Sequence, residues 1–78
     1  MRHGAKYPAS ARLCRLVRLL GDGRPHSSME IIRKARTANA ATTVADLRDN
    51  GAEIVSSRER IGGRTIHYYT MTKGPQNG

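Results

Sequence analysis

Cysteine is nearly absent from this sequence, with Cys14 alone among 78 residues. No internal disulfide can form, and His3, His26 and His67 supply too few further ligands for a four-coordinate zinc site, so no metal is expected. Catalytic groupings are missing too, because no nucleophile stands with a base and an orienting acid. The pair Gly62-Gly63 is too short to cradle a phosphate, and so short a chain has difficulty enclosing a substrate cavity. No enzyme activity, cofactor or small-molecule substrate is therefore expected. Apolar runs stop at two or three residues, as in Leu19-Leu20 and Ile31-Ile32, against the roughly 20 that span a bilayer. Residues 1–10 carry Arg2, His3 and Lys6 but not the apolar stretch of a secretory signal, so a cytoplasmic protein with no membrane partner is expected.

Acidic residues are also few, and this scarcity points to a function. Six Asp and Glu face fourteen Lys and Arg, giving a formal charge of +8, which favours a polyanionic partner without choosing among DNA, RNA and a membrane surface. Thirteen of the fourteen cations lie between Arg2 and Arg64, interleaved with apolar residues. The folded body itself must carry the field. The length suits one domain: a flexible arm over residues 1–9, a folded unit over 10–71 and a disordered tail over 72–78. No internal repeat and no interior low-complexity segment is visible.

Within the folded unit, Leu13, Leu16, Val17 and Leu20 recur at the spacing of one helical face, which predicts a helix over Ala11–Leu20, with Ser10 as its N-cap and Gly21-Asp22-Gly23 as its stop. Arg12, Arg15 and Arg18 lie off that stripe, on a solvated face or against a polyanion. After a turn from Gly21 to His26, Ser27-Ser28-Met29-Glu30 has the form of a capping box and opens a second helix, carrying Ile31, Ile32 and Ala35 to about Arg36. Thr37-Ala38-Asn39 connects to a third helix, in which Val44 and Leu47 are buried, Ala40 continues the stripe and Asn50-Gly51 ends the helix. The β-branched and aromatic residues of Glu53–Arg58 and Thr65–Met71 predict two strands, paired antiparallel through a turn at Ile61-Gly62-Gly63-Arg64. Alternation sends His67, Tyr69 and Met71 to one face and Ile66, Tyr68 and Thr70 to the other.

The run Thr43-Val44-Ala45-Asp46-Leu47-Arg48-Asp49-Asn50-Gly51-Ala52-Glu53-Ile54, followed by Tyr69-Thr70-Met71, resembles a signature of small winged helix-turn-helix domains in bacterial and phage proteins. That signature reads Leu-Arg-x-x-Gly-x-x-Ile and then Tyr-x-apolar, and Leu47, Arg48, Gly51 and Ile54 match it. Each match has a packing reason: Leu47 anchors the third helix, Gly51 permits a left-handed turn and Ile54 returns the chain to the core. The resemblance covers roughly Leu13 to Met71. It implies an α+β fold, a three-helix winged helix-turn-helix with a C-terminal β-hairpin wing, and assigns Tyr69 and Met71 to the core. Tyr68 is then left as a stacking or partner-contact residue.

The same resemblance implies a small regulator of transcription or an accessory factor that binds double-stranded DNA, as a homodimer or alongside other proteins. Its third helix would enter the major groove and its wing would run along the phosphates. The outward side of that helix is expected to carry Asn39, Thr42, Thr43, Asp46 and Asp49. Asn39 would either read adenine or cap the helix, and Thr42 and Thr43 would reach a phosphate or a thymine methyl. Arg58, Arg60 and Arg64 near the hairpin tip would straddle a phosphate or enter the minor groove, or else serve as solubilising edge charge. Lys34 and Arg36 would clamp the backbone, with Arg24 a weaker candidate; Arg48 would contact DNA or pair with a nearby carboxylate. Asp46 and Asp49 repel phosphate and favour the rival expectation, a winged-helix module that docks other proteins without DNA. RNA binding is a third.

Overall fold

A computed structural model describes Tyr7 and residues 9–75. The chain folds as α+β, with three helices and a three-stranded antiparallel sheet in the order α1 (Ala11–Leu20), β1 (His26–Ser27), α2 (Ser28–Lys34), α3 (Ala40–Asp49), β2 (Glu53–Ile61) and β3 (Arg64–Lys73). Helix α1 has the predicted bounds, and Ser10 caps it by accepting from the Leu13 backbone N–H at 3.3 Å. Its apolar stripe supplies Leu13, Leu16 and Leu20, which meet Ile31 of α2 and Val44 and Leu47 of α3 with no exposed surface. Burial of each such side chain is worth about 1.5–3 kcal/mol.

Helix α2 starts as expected, with Ser27 accepting from the Glu30 N–H at 3.1 Å. It ends two residues earlier than expected, at Lys34. Arg36 follows with φ of 55°, a left-handed conformation that turns the chain toward α3 and costs a non-glycine residue about 1–2 kcal/mol. Met29 is exposed. Beyond α3, Gly51 takes φ of 96° as expected, and Ala52 and Ile54 bring the chain back to the core.

The sheet is larger than the expected hairpin. His26 and Ser27, expected in a turn, form the short strand β1 against β3, with His26 opposite Tyr69 and Ser27 opposite Tyr68. A two-residue strand has no periodicity of its own, so only its partner reveals it. Both long strands outrun their predicted ends, β2 to Ile61 and β3 to Lys73, so strand β3 takes in two residues past Met71. Gly62 and Gly63 form the tight turn with φ of 57° and 78°, the pair of positive values that a two-residue hairpin of this twist requires. At the root, Glu53 pairs with Lys73 and Ile54 with Met71. Thr72 between them has no cross-strand partner in this register, and its hydroxyl donates to the Glu53 carbonyl at 3.2 Å.

Tyr7, expected in the flexible arm, packs against the core, and its N–H donates to Asn50 Oδ1 at 3.0 Å. The remainder of the expected arm, residues 1–6 and 8, and residues 76–78 of the expected tail lie outside the described residues.

Candidate functional site

The cations divide by what they touch. In the helical body Arg12 Nη2 lies 3.4 Å from Asp46 Oδ2, and Arg15 Nε donates to the Ala35 carbonyl at 2.9 Å. Arg48, expected on DNA or on a carboxylate, instead donates through Nη2 to the Ile54 carbonyl at 2.6 Å, tying the end of α3 to the start of β2. Lys34 is 60% exposed and lies 3.4 Å from Glu30 one turn back. Arg36 is exposed, and its side chain, like those of Arg58, Arg60 and Arg64, makes no hydrogen bond or ion pair among the described residues.

Helix α3 decides one alternative and corrects two expectations. Asn39 is the N-cap, its Oδ1 accepting from the Thr42 N–H at 3.1 Å, so the oxygen that would pair with adenine is taken. Thr43 is buried, not outward; its hydroxyl donates to the Asn39 carbonyl at 3.0 Å and lies 2.6 Å from the Thr37 hydroxyl. Asp46 is also buried and reaches Arg12, so its carboxylate does not repel an approaching anion. Thr42 remains exposed at the leading end of the helix, and Asp49 is exposed at its far end.

Alternation along the hairpin separates its arginines. Ile54, Ser56, Arg58 and Arg60 share one face of β2, opposite Met71, Tyr69, His67 and Thr65 of β3. At its root this face is the one the helices cover, since Ile54 and Met71 belong to the core and Tyr69 packs on it. Arg58, Arg60 and His67 therefore extend the helix-packed face outward as exposed, basic ribbon. Arg64, paired with Ile61, lies on the opposite face with Val55, Glu59, Ile66 and Tyr68. The three guanidiniums thus do not form a cluster on one face. Where the ribbon leaves the body, an open groove of about 400 Å³ runs between the first turns of α2 and α3 and strand β3, with Ser28, Ile32, Asn39, Ala41, His67 and Tyr69 among its lining. Sequence alternation places His67 and Tyr69 on a common strand face, but their position across the groove from Asn39 is a tertiary feature that alternation does not give.

Sequence reasoning also missed a cluster around His26, which is 9% exposed. Its Nε2 lies 2.9 Å from Asp22 Oδ1 and its Nδ1 2.9 Å from Glu30 Oε1. The spacing of four residues on either side of His26 was visible, but Asp22 precedes the helix, where i,i+4 logic does not apply. Burial pushes the His26 pKa down, but the hydrogen bonds to Asp22 and Glu30 outweigh it and hold the value above the ordinary 6.5. Asp22 is held low by the Arg24 backbone N–H and then by His26, and Glu30 is held low first by His26 and also by Lys34. Since Glu30 is engaged there, the capping box is formed on the Ser27 side.

Among the described residues no group of three or more His, Cys, Asp or Glu is placed to hold a metal ion, and no helix is long and apolar enough to cross a membrane. Comparison with known protein families, with curated proteins and with solved structures finds no match.

Proposed function

We propose that the chain is a winged helix-turn-helix domain that binds double-stranded DNA chiefly through the phosphate backbone, as a small cytoplasmic regulator of transcription or accessory factor of the bacterial or phage kind. The observation that carries this reading is the distribution of cations. Arg58, Arg60 and Arg64 stand exposed on the hairpin with no partner among the described residues, beside a helix whose one buried carboxylate, Asp46, is turned toward Arg12. The β2–β3 hairpin is then the wing. A phosphate backbone following the groove between the leading end of α3 and His67 would meet Arg58 and Arg60 farther along the same ribbon face.

The loss of Asn39 and Thr43 as base-reading groups supports backbone contact over direct readout, because phosphate contacts position a protein without carrying sequence. Thr42 and the wing are what remain to distinguish sites. Pairing of two copies on one site would multiply that limited discrimination.

Titration of a labelled random duplex at increasing salt, followed by fluorescence anisotropy, tests the reading. Affinity should fall steeply, with log affinity losing about 0.9 per tenfold rise in salt for each phosphate contacted. Structured RNA at matched ionic strength should compete poorly. A second reading, docking to another protein, draws on Val55 and Ile61, which are 57% and 50% exposed and share the outer face of the hairpin. Failure to bind duplex even at low salt would favour it.

A further inference from the structure

His26 lies where three parts of the chain meet. Its backbone pairs with Tyr69 at the root of the hairpin, and its ring reaches Asp22 in the turn after α1 and Glu30 in the first turn of α2. A neutral imidazole carries one N–H and can donate to one carboxylate only; the other contact would then set a ring lone pair against a carboxylate oxygen. Two contacts of 2.9 Å, one on each ring nitrogen, satisfy both carboxylates only when both nitrogens are protonated. We propose that His26 is a positioning residue: as an imidazolium it clamps the Asp22–Arg24 turn to α2, and in doing so makes duplex affinity depend on pH.

The groups facing the ring are those two carboxylates, with Arg24 beside Asp22 and Lys34 beside Glu30, and Tyr69 and Tyr68 at the register positions on β3. Arg24 is held within the turn, its N–H donating to Asp22 Oδ1 at 2.9 Å. Loss of the ring proton gives up one carboxylate contact and removes the positive charge between Asp22 and Glu30. The turn bearing Arg24 and the helix bearing Lys34 then lose both their link and part of their local positive field.

The sign follows from linkage. The histidine contribution to stability is fully present below the ordinary value of 6.5 and is lost as pH rises through the raised value of the folded protein. The carboxylate contributions are present above the ordinary values of 3.8 for Asp22 and 4.5 for Glu30, and are lost as pH falls through the lowered ones. The clamp therefore holds in acidic to neutral solution and opens on the alkaline side.

The affinity half of this proposal rests on the DNA reading; the clamp itself is tested on the free chain. Nitrogen-15 NMR of the imidazole rings in the full chain should find both His26 nitrogens protonated at about pH 6.5 and titrating together above it. The thermal midpoint of the wild type should fall by several degrees from about pH 6 to about pH 9. His26→Gln should flatten that fall, and His67→Gln should retain it. Asp22→Asn, which keeps the ring and its Glu30 contact, should move the His26 titration to lower pH and serves if His26→Gln does not fold. Duplex affinity should drop severalfold over the same range for the wild type, and less for His26→Gln. A single-proton tautomer of His26 at about pH 6.5, or a pH response undiminished in His26→Gln, would overturn the clamp. A doubly protonated His26 in a chain that binds no duplex would overturn the affinity half alone.

Discussion

In the helical body Arg12, Arg15 and Arg48 reach an acid or a backbone carbonyl, whereas on the outer hairpin Arg58, Arg60 and Arg64 reach nothing among the described residues. The two regions share a residue type and differ in what surrounds it. The body fills its interior with leucine, isoleucine and valine and uses Arg12, Arg15 and Arg48 to stitch elements together, while Arg18, Arg33 and Arg36 stay exposed on its surface. From Arg58 to His67 every residue of the hairpin is exposed except the half-buried Ile66, so the side chains of its arginines are not engaged within the described chain. The +8 of the sequence is therefore a poor guide to the binding surface until the internally engaged cations are set aside.

The sharpest break in that comparison should come from the core. Leu47→Ala removes a fully buried side chain between α3 and the rest of the body and is expected to cost about 2–5 kcal/mol. For a chain of this length that approaches the total stability of roughly 4–12 kcal/mol. Val55→Ala on the exposed ribbon should cost no more than about 0.5 kcal/mol when both variants are compared by denaturant titration.

Next in size are the stitching arginines. Arg15→Ala and Arg48→Ala each leave a carbonyl without its charged donor and should lower unfolding stability by about 1 kcal/mol, while leaving the salt dependence of duplex binding as it is in wild type. Asn39→Ala should cost a similar amount, about 1 kcal/mol, through the lost cap. Asn39→Asp should restore stability, because aspartate caps as well and suits the helix dipole, yet weaken duplex binding by placing a negative charge at the leading end of α3. A base-reading Asn39 would instead lose discrimination among sequences in both variants.

The smallest effect is expected at Arg36. Glycine accepts its positive φ without strain, so Arg36→Gly should gain about 0.5 kcal/mol of stability after its greater unfolded-state freedom is allowed for. Duplex affinity should fall at the same time, as expected of a cation kept in an unfavourable backbone conformation. A variant both more stable and equally tight would make the side chain dispensable.

Much of the fold was legible because its signals are local. The α1 stripe, the caps at Ser10, Ser27 and Asn39 and the two glycines of the hairpin each act within a few residues. The errors arise where a residue answers to a distant partner. Asp46 was read as outward because its partner Arg12 lies 34 residues away, and β1 exists only because β3 runs beside it. Thr43 is a different kind of miss, since it lies on the same helical face as Ala40, Val44 and Leu47, and polarity was allowed to outweigh position. For the site, the wing arginines were named from their place beside the turn. Their division between two faces required the register, and the His26 clamp required a tertiary contact across a turn.

The most direct test of the distinction between engaged and available cations compares salt slopes for duplex binding in three proteins: the wild type, the wing variant with Arg58, Arg60 and Arg64 all changed to alanine, and the body variant with Arg15 and Arg48 changed to alanine. The wing variant should keep wild-type stability, bind more weakly by a similar factor on every sequence and lose about one unit of slope for each phosphate contact removed, up to about three. The body variant should lose stability and keep its slope. An unchanged slope in the wing variant, or a flattened one in a body variant that is still folded, would contradict the account and move the contact surface from the hairpin to the helices.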